Sequence, residues 1–371
     1  MLFALTGDVR RNARAVRQLR AVAGMGWRVC ALTLGPGGEA PDLPGVELVP
    51  IPVSKGRGPV FFLGVHCAVR RLVRQMPARV YHASDLYTLP ALAGAARFHR
   101  ARLVFDAREL YPDTPAVADR PLVRAVWRAV ERRYVPRADL VLTVGEGLAD
   151  VLAQRYPLRR PPLVLHNAPA PYTGPPADLR GRAGLPPDAR IVLHTGALRA
   201  GRGLHDLVRA MAGVPATLVL LGDGPLGAEL ARLAETAEAD VRIVPPVPPA
   251  EVPAYAAAAD VGAVPLEDSS LNLRLALPNK LFEYVAAGLP VVATALPELA
   301  RVVKGGGIGL TVPPGDVPAL HDALRRLLDD AALRAACRAR IHDVQLAFSS
   351  ETADIRLMQA YRALLTDSNV A

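Results

Sequence analysis

Residues 277–293 read LPNKLFEYVAAGLPVVA, and the way this stretch breaks into elements decides the fold. Pro278 suits a first helical turn, where its missing N–H costs nothing. Gly288 suits the position just past a helix end, and Pro290 blocks continuation. Val291, Val292 and Ala293 then resume as a buried strand. Lys280 and Glu283 stand three apart inside this apolar unit, and so share one helical face. Two readings are open. One is an exposed ion pair. The other is a working pair, in which the carboxylate chelates vicinal hydroxyls such as those of a ribose. The lysine, near the positive end of the helix dipole, then meets a phosphate.

The same strand-and-helix alternation extends in both directions. Apolar strands are predicted at Leu2–Thr6, Arg28–Leu34, Val46–Ile51, Val80–His82, Leu103–Phe105, Leu140–Val144 and Leu163–Leu165. After a gap they return at Ile191–Thr195, Thr217–Leu221, Val241–Val244, Val261–Val264, Val291–Ala293 and Gly309–Val312. Short, continuously apolar strands separated by amphipathic stretches argue for parallel sheets covered by helices on both faces. Residues 168–189, APAPYTGPPADLRGRAGLPPDA, have a linker composition. The expected domains are therefore 1–170, a linker at 171–189, and 190–346. A final amphipathic helix lies in 347–371, expected to cross back to the N-terminal domain or to serve as a simple C-terminal cap.

A chain of 371 residues, 51% hydrophobic and 21% charged, suits two globular cores. No apolar run reaches the roughly 18 residues of a membrane-spanning helix. The N-terminus shows no basic leader or cleavage site, so the expected location is cytoplasmic. Residues 1–172 carry 25 lysines and arginines against 13 acidic residues, while the rest carries 19 against 22. The first half therefore expects an anionic partner. No nucleic-acid signature accompanies this charge. Two stretches, VFFLGVHCAVRRLVRQM and 120–137 with Trp127 among five arginines up to Arg133, are apolar on one side and basic on the other. They are sheet-covering helices with solvated arginines, or peripheral contacts with an anionic membrane at its inner face. Cys30, Cys67 and Cys337 are isolated, with neither metal nor redox spacing.

Ligands of open parallel sheets bind beyond the carboxyl ends of the strands, so residues there are the site candidates. The first turn offers Gly7 before a basic helix, where a backbone can approach a ligand. His82 ends the fourth predicted strand with Asp85 just beyond it, and Asp106, Arg108 and Glu109 follow the fifth. In the second half HTGALRAGRGLHDLV is strand, glycine-rich turn and helix. Its backbone N–H groups, Gly196 and Arg202 suit a pyrophosphate. LGDGPL supplies Gly222 in another tight turn.

These motifs together resemble the retaining glycosyltransferases of family four, in the branch with a PNKLFEY-type helix. The resemblance runs over nearly the whole chain. It implies the GT-B architecture: two Rossmann-like doubly wound parallel-sheet domains facing across a cleft. The N-terminal domain would bind the acceptor and the C-terminal domain a nucleotide-diphosphate sugar. The donor contacts it implies are Gly7, Gly196, Arg199, Arg202, Gly222, Val247, Asn272, Lys280 and Glu283. The acceptor contacts are Asp8, Arg14, Asp85, Asp106 and Glu109, and the catalytic candidates are Arg202, Lys280, His82 and Arg108. The implied chemistry is metal-independent glycosyl transfer with retention, using no cofactor beyond the nucleotide sugar. The acceptor would be a sugar, a lipid-linked intermediate or a small metabolite. Three departures stand out. Leu275 occupies the place of the family's first glutamate, Ala197 that of its arginine and Arg108 that of its histidine. A nucleotide-sugar 2-epimerase of the same architecture, or an inactive partner or anchoring subunit, are the alternatives.

Overall fold

The computed structural model describes residues 1–39, 43–53, 56 and 58–366. The chain divides into two compact units. One comprises residues 1–166 and regains the chain from Glu351; the other is Asn167–Ser350.

The first unit is built on β1 (Leu2–Ala4), β2 (Val29–Thr33), β3 (Gly38–Glu39), β4 (Val46–Pro50), β5 (Val80–Ala83), β6 (Arg102–Ala107), β7 (Leu140–Thr143) and β8 (Leu163–Val164). Their order is β3-β4-β2-β1-β5-β6-β7-β8, and every neighbouring pair is parallel except β3–β4. The two-residue β3 is too short to leave a pattern in the sequence, which predicted no strand there. The second unit is built on β9 (Ile191–Thr195), β10 (Thr217–Leu221), β11 (Val241–Val244), β12 (Val261–Val264), β13 (Val291–Thr294) and β14 (Gly309–Val312). These run β11-β10-β9-β12-β13-β14, all parallel. In each sheet the strand order reverses at the first strand, β1 or β9. Such a switch point opens a crevice at the carboxyl edge.

β5, β7, β9, β10, β12 and β13 are buried at every position, which is why they read as unbroken apolar runs. The helix Asn279–Ala286 buries Leu281, Phe282, Tyr284, Val285 and Ala286 in the core of the second unit. The larger of these side chains contribute about 1.5–3 kcal/mol each. Pro278 caps this helix rather than opening its first turn, and Gly288 takes the left-handed conformation just beyond it, φ +71°.

One boundary moves relative to the sequence reading, and the expected return of the C-terminal helix to the first unit is seen. Residues 171–189 lie against the second unit instead of spanning a gap. Tyr172 N donates to Ala286 O, Ala177 N to Ala254 O, and Leu179 is fully buried in that unit's core. Proline and glycine there shape a packed strap. At the other end the helix Ser350–Thr366 belongs to the first unit, with Leu357, Tyr361 and Leu364 buried in its core.

Candidate active site

In the second unit the candidates gather at the carboxyl edge of β9. The helix Asn279–Ala286 is pinned there by Tyr284, whose hydroxyl donates to Leu193 O (3.1 Å) and accepts from Thr195 N (3.0 Å). Gly262 makes room for this ring, since a Cβ there would sit 2.5 Å from it. So anchored, the helix sets Lys280 Nζ 2.5 Å from Nε2 of His194, with both side chains buried. Burial, and then Arg202, hold the lysine well below its usual pKa; Glu283 opposes them. Burial, and then Lys280, hold His194 well below its own. Glu283 accepts from Thr195 Oγ1 at 3.4 Å, and burial pushes its carboxyl up to about 7 against the pull of Lys280. An exposed ion pair is therefore the wrong picture of Lys280 and Glu283. They form a desolvated cluster in which the cations outnumber the carboxylate.

The glycine-rich turns build its rim. Gly196 has φ +104°, and a Cβ on it would lie 4.0 Å from Lys280 Nζ. Gly222 stacks on that turn so closely that a Cβ would meet Gly196 O at 2.0 Å. Arg202 is half-buried and Arg199 exposed; both bear electrostatically on Lys280. The amides expected to be open to a pyrophosphate are partly engaged. Gly201 N and Gly203 N both donate to Glu267 Oε1, at 3.1 and 3.2 Å. Asn272, on the short helix Leu271–Arg274, and Val247 are half-buried.

In the first unit several candidates prove to be structural. Arg14 and Asp106, expected as acceptor contacts, are spent on each other. The guanidinium donates to both carboxylate oxygens at 2.8 Å, and to Leu165 O and Thr143 O, while Gln18 also donates to Asp106. Asp106 has no exposed surface, and Arg14 holds its carboxyl down at about 2 despite burial. His82, expected to be catalytic, is likewise fully buried, with Nδ1 2.5 Å from Tyr361 Oη. Burial lowers its pKa to about 4, so the ring is neutral. Asp85 staples two loops, accepting from Thr6 N at 2.5 Å and Thr88 N at 2.9 Å. Asp8 accepts from Arg10 N and pairs with Arg10. Gly7 O accepts from Leu34 N and Thr33 Oγ1. Glu109 is exposed, and Arg108 is half-buried with its Nε lacking a hydrogen-bond partner among the described residues. Burial disfavours the charge on Arg108, but Tyr111, Asp106, Asp85 and Glu109 outweigh it and raise its pKa. Arg108 and Glu109 are thus the carboxyl-edge side chains here that are not spent on the fold.

The sequence reading passed over His194, Glu267, Thr195 and Tyr361. His194 lies in an apolar strand, where a lone histidine carries no signal. Its partner comes from a helix 86 residues away.

Residues 12–168 match the family model of the glycosyl transferase 4-like domain, and residues 189–330 that of glycosyl transferases group 1. The chain is thus made of the two domain types of group 1, family-four glycosyltransferases. Among the relatives of this chain is a D-inositol 3-phosphate glycosyltransferase of Kineococcus radiotolerans, 32% identical over 71% of this chain and 62% of the relative. The enzyme of that name from a Nocardioides strain is 33% identical over 49% of this chain and 43% of its own length. The chain thus spans about half, and up to 62%, of these relatives. Among solved structures, a sucrose-phosphate synthase from Thermosynechococcus elongatus superposes with TM-score 0.76 at 23% identity, covering 99% of this chain and 100% of that one. Anabaena HepE bound to UDP-glucose gives 0.76 at 19% identity, covering 98% and 99%. The chain therefore has the GT-B fold of two Rossmann-like domains.

Proposed function

We propose that this glycosyltransferase moves a sugar from a nucleotide-diphosphate sugar to an acceptor hydroxyl, with retention and without a metal. The bond from the anomeric carbon to the diphosphate oxygen breaks, and the bond to the acceptor oxygen forms on the same face. The acceptor's proton leaves with the diphosphate. The observation that carries the reading is the buried cluster of Lys280, His194 and Glu283 beside Arg202. An excess of positive charge held away from water stabilises a departing diphosphate strongly and without reorganisation. Glu283 has oxygens to spare for a ribose diol. Arg199 and Arg202 take the part that a metal ion would otherwise play.

UDP-sugars head the donors to test, because HepE binds UDP-glucose. A phosphorylated polyol heads the acceptors, because several relatives carry D-inositol 3-phosphate in their names. A lipid-linked acceptor at an anionic membrane rests on the basic, partly apolar helices alone. There Val60, Leu63, Leu122 and Val126 are exposed. Among the described residues no helix is long and apolar enough to cross a membrane.

The test is a thermal-shift screen of UDP-, GDP- and dTDP-sugars, followed by product analysis with EDTA present. One nucleotide class should raise the midpoint, turnover should survive EDTA, and Arg202→Ala should slow single turnovers. Release of a free epimer without acceptor would favour an epimerase. Donor binding with neither transfer nor hydrolysis would favour a partner subunit.

A further inference from the structure

The basic helix Pro121–Tyr134 places Arg124, Arg128 and Arg132 at four-residue intervals on one face. Asp113, almost fully buried, receives Arg124 at 2.6 Å, Arg128 at 3.5 Å and Arg155 in a short contact. No carboxylate among the described residues is paired with Arg132. Beneath the arginines lies Glu131, 1% exposed, with Tyr156 Oη donating to its Oε2 at 2.5 Å. Arg128, Arg132, Arg155 and Tyr156 line a cavity of about 180 Å³. It holds the volume of about six waters at ~30 Å³ each, room for a tetrahedral oxyanion and part of its hydration.

The charge balance is lopsided. Three guanidiniums, those of Arg124, Arg128 and Arg155, converge on one committed carboxylate, Asp113, and Arg132 adds a fourth in the cavity wall. Burial pushes the Glu131 carboxyl up to about 7, against the pull of Tyr156 and Arg155. Near neutrality two to three of the four positive charges are therefore uncompensated, at forked donors suited to phosphate. The place in the fold sets this pocket apart from the residues discussed above. Helix Pro121–Tyr134 ends just before β7 begins, and Tyr156 follows the helix Glu146–Arg155 just before β8 begins. Arg132 and Tyr156 thus lie toward the amino edge of the sheet, whereas Gly7, Asp85 and Arg108 lie at its carboxyl edge.

We propose that this pocket is a second ligand site of the first unit, which takes a phosphomonoester through Arg128, Arg132 and Arg155. Soluble phosphate esters and the headgroup of phosphatidic acid share this chemistry. Protonation of Glu131, which Tyr156, Arg155, Arg128 and Asp113 face, tightens the site as pH falls through about 7. Phosphate titrates in the same range, so sulfate is the probe for that effect.

The test is calorimetric titration of the full chain with sulfate at pH 6 and pH 8. Saturable binding is expected, severalfold tighter at pH 6, with Glu131→Gln removing the pH dependence. Arg132→Gln, at an exposed position, should weaken binding at least tenfold without moving the melting midpoint of the ligand-free protein. Arg202→Gln should leave it unchanged. Two results overturn the proposal. One is no saturable binding. The other is binding that survives Arg132→Gln and is lost in Arg202→Gln, which puts the anion in the second unit. Glycerol 3-phosphate and phosphatidic acid vesicles then separate the sources. Arg132-dependent co-sedimentation assigns the headgroup, and Arg132-dependent binding of glycerol 3-phosphate alone assigns a soluble ester.

Discussion

Lys280 Nζ lies 2.5 Å from Nε2 of His194 in a site where neither side chain reaches solvent freely. Burial pushes both groups toward neutrality, and the lysine adds to that push on the imidazole. The neutral ring also bonds the backbone of Ala263. Its remaining lone pair accepts from the ammonium. Lys280 is thereby oriented by His194.

That arrangement trades stability for binding. A desolvated ammonium beside Arg202 is costly while the site is empty. Lys280→Met should leave the ligand-free protein as stable as wild type or more so, while its affinity for a nucleoside diphosphate falls at least tenfold. The pH dependence carries a sign. The folded pKa of Lys280 lies below its unfolded value, so the penalty is present at neutral pH and fades as pH rises toward about 10.4. The advantage of Lys280→Met in urea denaturation should shrink from pH 7 to pH 10. A variant that melts well below wild type at pH 7 would show that Lys280 holds the fold together.

Glu283 gives a second pH signature. Its carboxyl is pushed up to about 7, first by burial. Folding therefore stabilises the protonated form, and stability declines as pH rises from the unfolded value of about 4.3 through 7. Donor binding runs the other way if the carboxylate chelates a diol, and should strengthen between pH 6 and 8. Glu283→Ala should cost about 1.5–3 kcal/mol in donor affinity, the range for a hydrogen bond to a charged group. Glu283→Gln should bind weakly at all pH values. Calorimetry with the best nucleotide sugar measures both, and unchanged affinity in Glu283→Ala would remove this residue from the site.

How far the sequence carried the reading depends on where each signal lives. Strand periodicity and the Gly288–Pro290 stop are local, so thirteen of the fourteen strands among the described residues and the helix bearing Lys280 were legible. Gly196 and Gly222 were legible because a turn that admits no Cβ demands glycine. The fates of Arg14, Asp106 and His82 were not. A charged residue just past a strand looks the same whether its partner is a ligand or an arginine 92 residues earlier. Tyr361 was equally hidden, since nothing near residue 361 says that its hydroxyl meets residue 82. The linker was misread because proline and glycine mark irregular backbone, not whether that backbone is packed.

The Arg14–Asp106 pair supplies a stability prediction in place of the acceptor role expected for it. Removing one partner of a buried pair leaves a desolvated charge, a loss of about 3–5 kcal/mol. Asp106→Asn and Arg14→Met should each destabilise by that order. The double variant Arg14→Met/Asp106→Leu should lose less than the two combined. With its pKa depressed to about 2, Asp106 contributes stability that is complete above about 4 and disappears as pH falls toward 2. Acid denaturation of wild type and Asp106→Asn should therefore converge over that window, and parallel curves would deny the pair its structural role.

The C-terminal helix is a component of the first unit's core, and its removal should be felt there first. Leu357, Tyr361 and Leu364 are each about 1% exposed or less, and burying such side chains contributes about 1.5–3 kcal/mol apiece. The sum rivals the total stability of an ordinary domain, about 5–15 kcal/mol. A chain ending at Ser350 should lose amide-exchange protection in β1 and β5 while keeping it in β9 and β12. Tyr361→Phe isolates the polar part. It deletes the partner of His82 Nδ1, and Nε2 of that ring has no hydrogen-bond partner among the described residues. An imidazole left with neither nitrogen satisfied costs about 1–3 kcal/mol. Because His82 stays neutral down to about 4 when folded, the first unit should also weaken as pH drops below about 6.5. Replacing His82 by a neutral isostere such as Gln should flatten that dependence, and protection of β1 and β5 that survives the truncation would refute the dependence of the first unit on this helix.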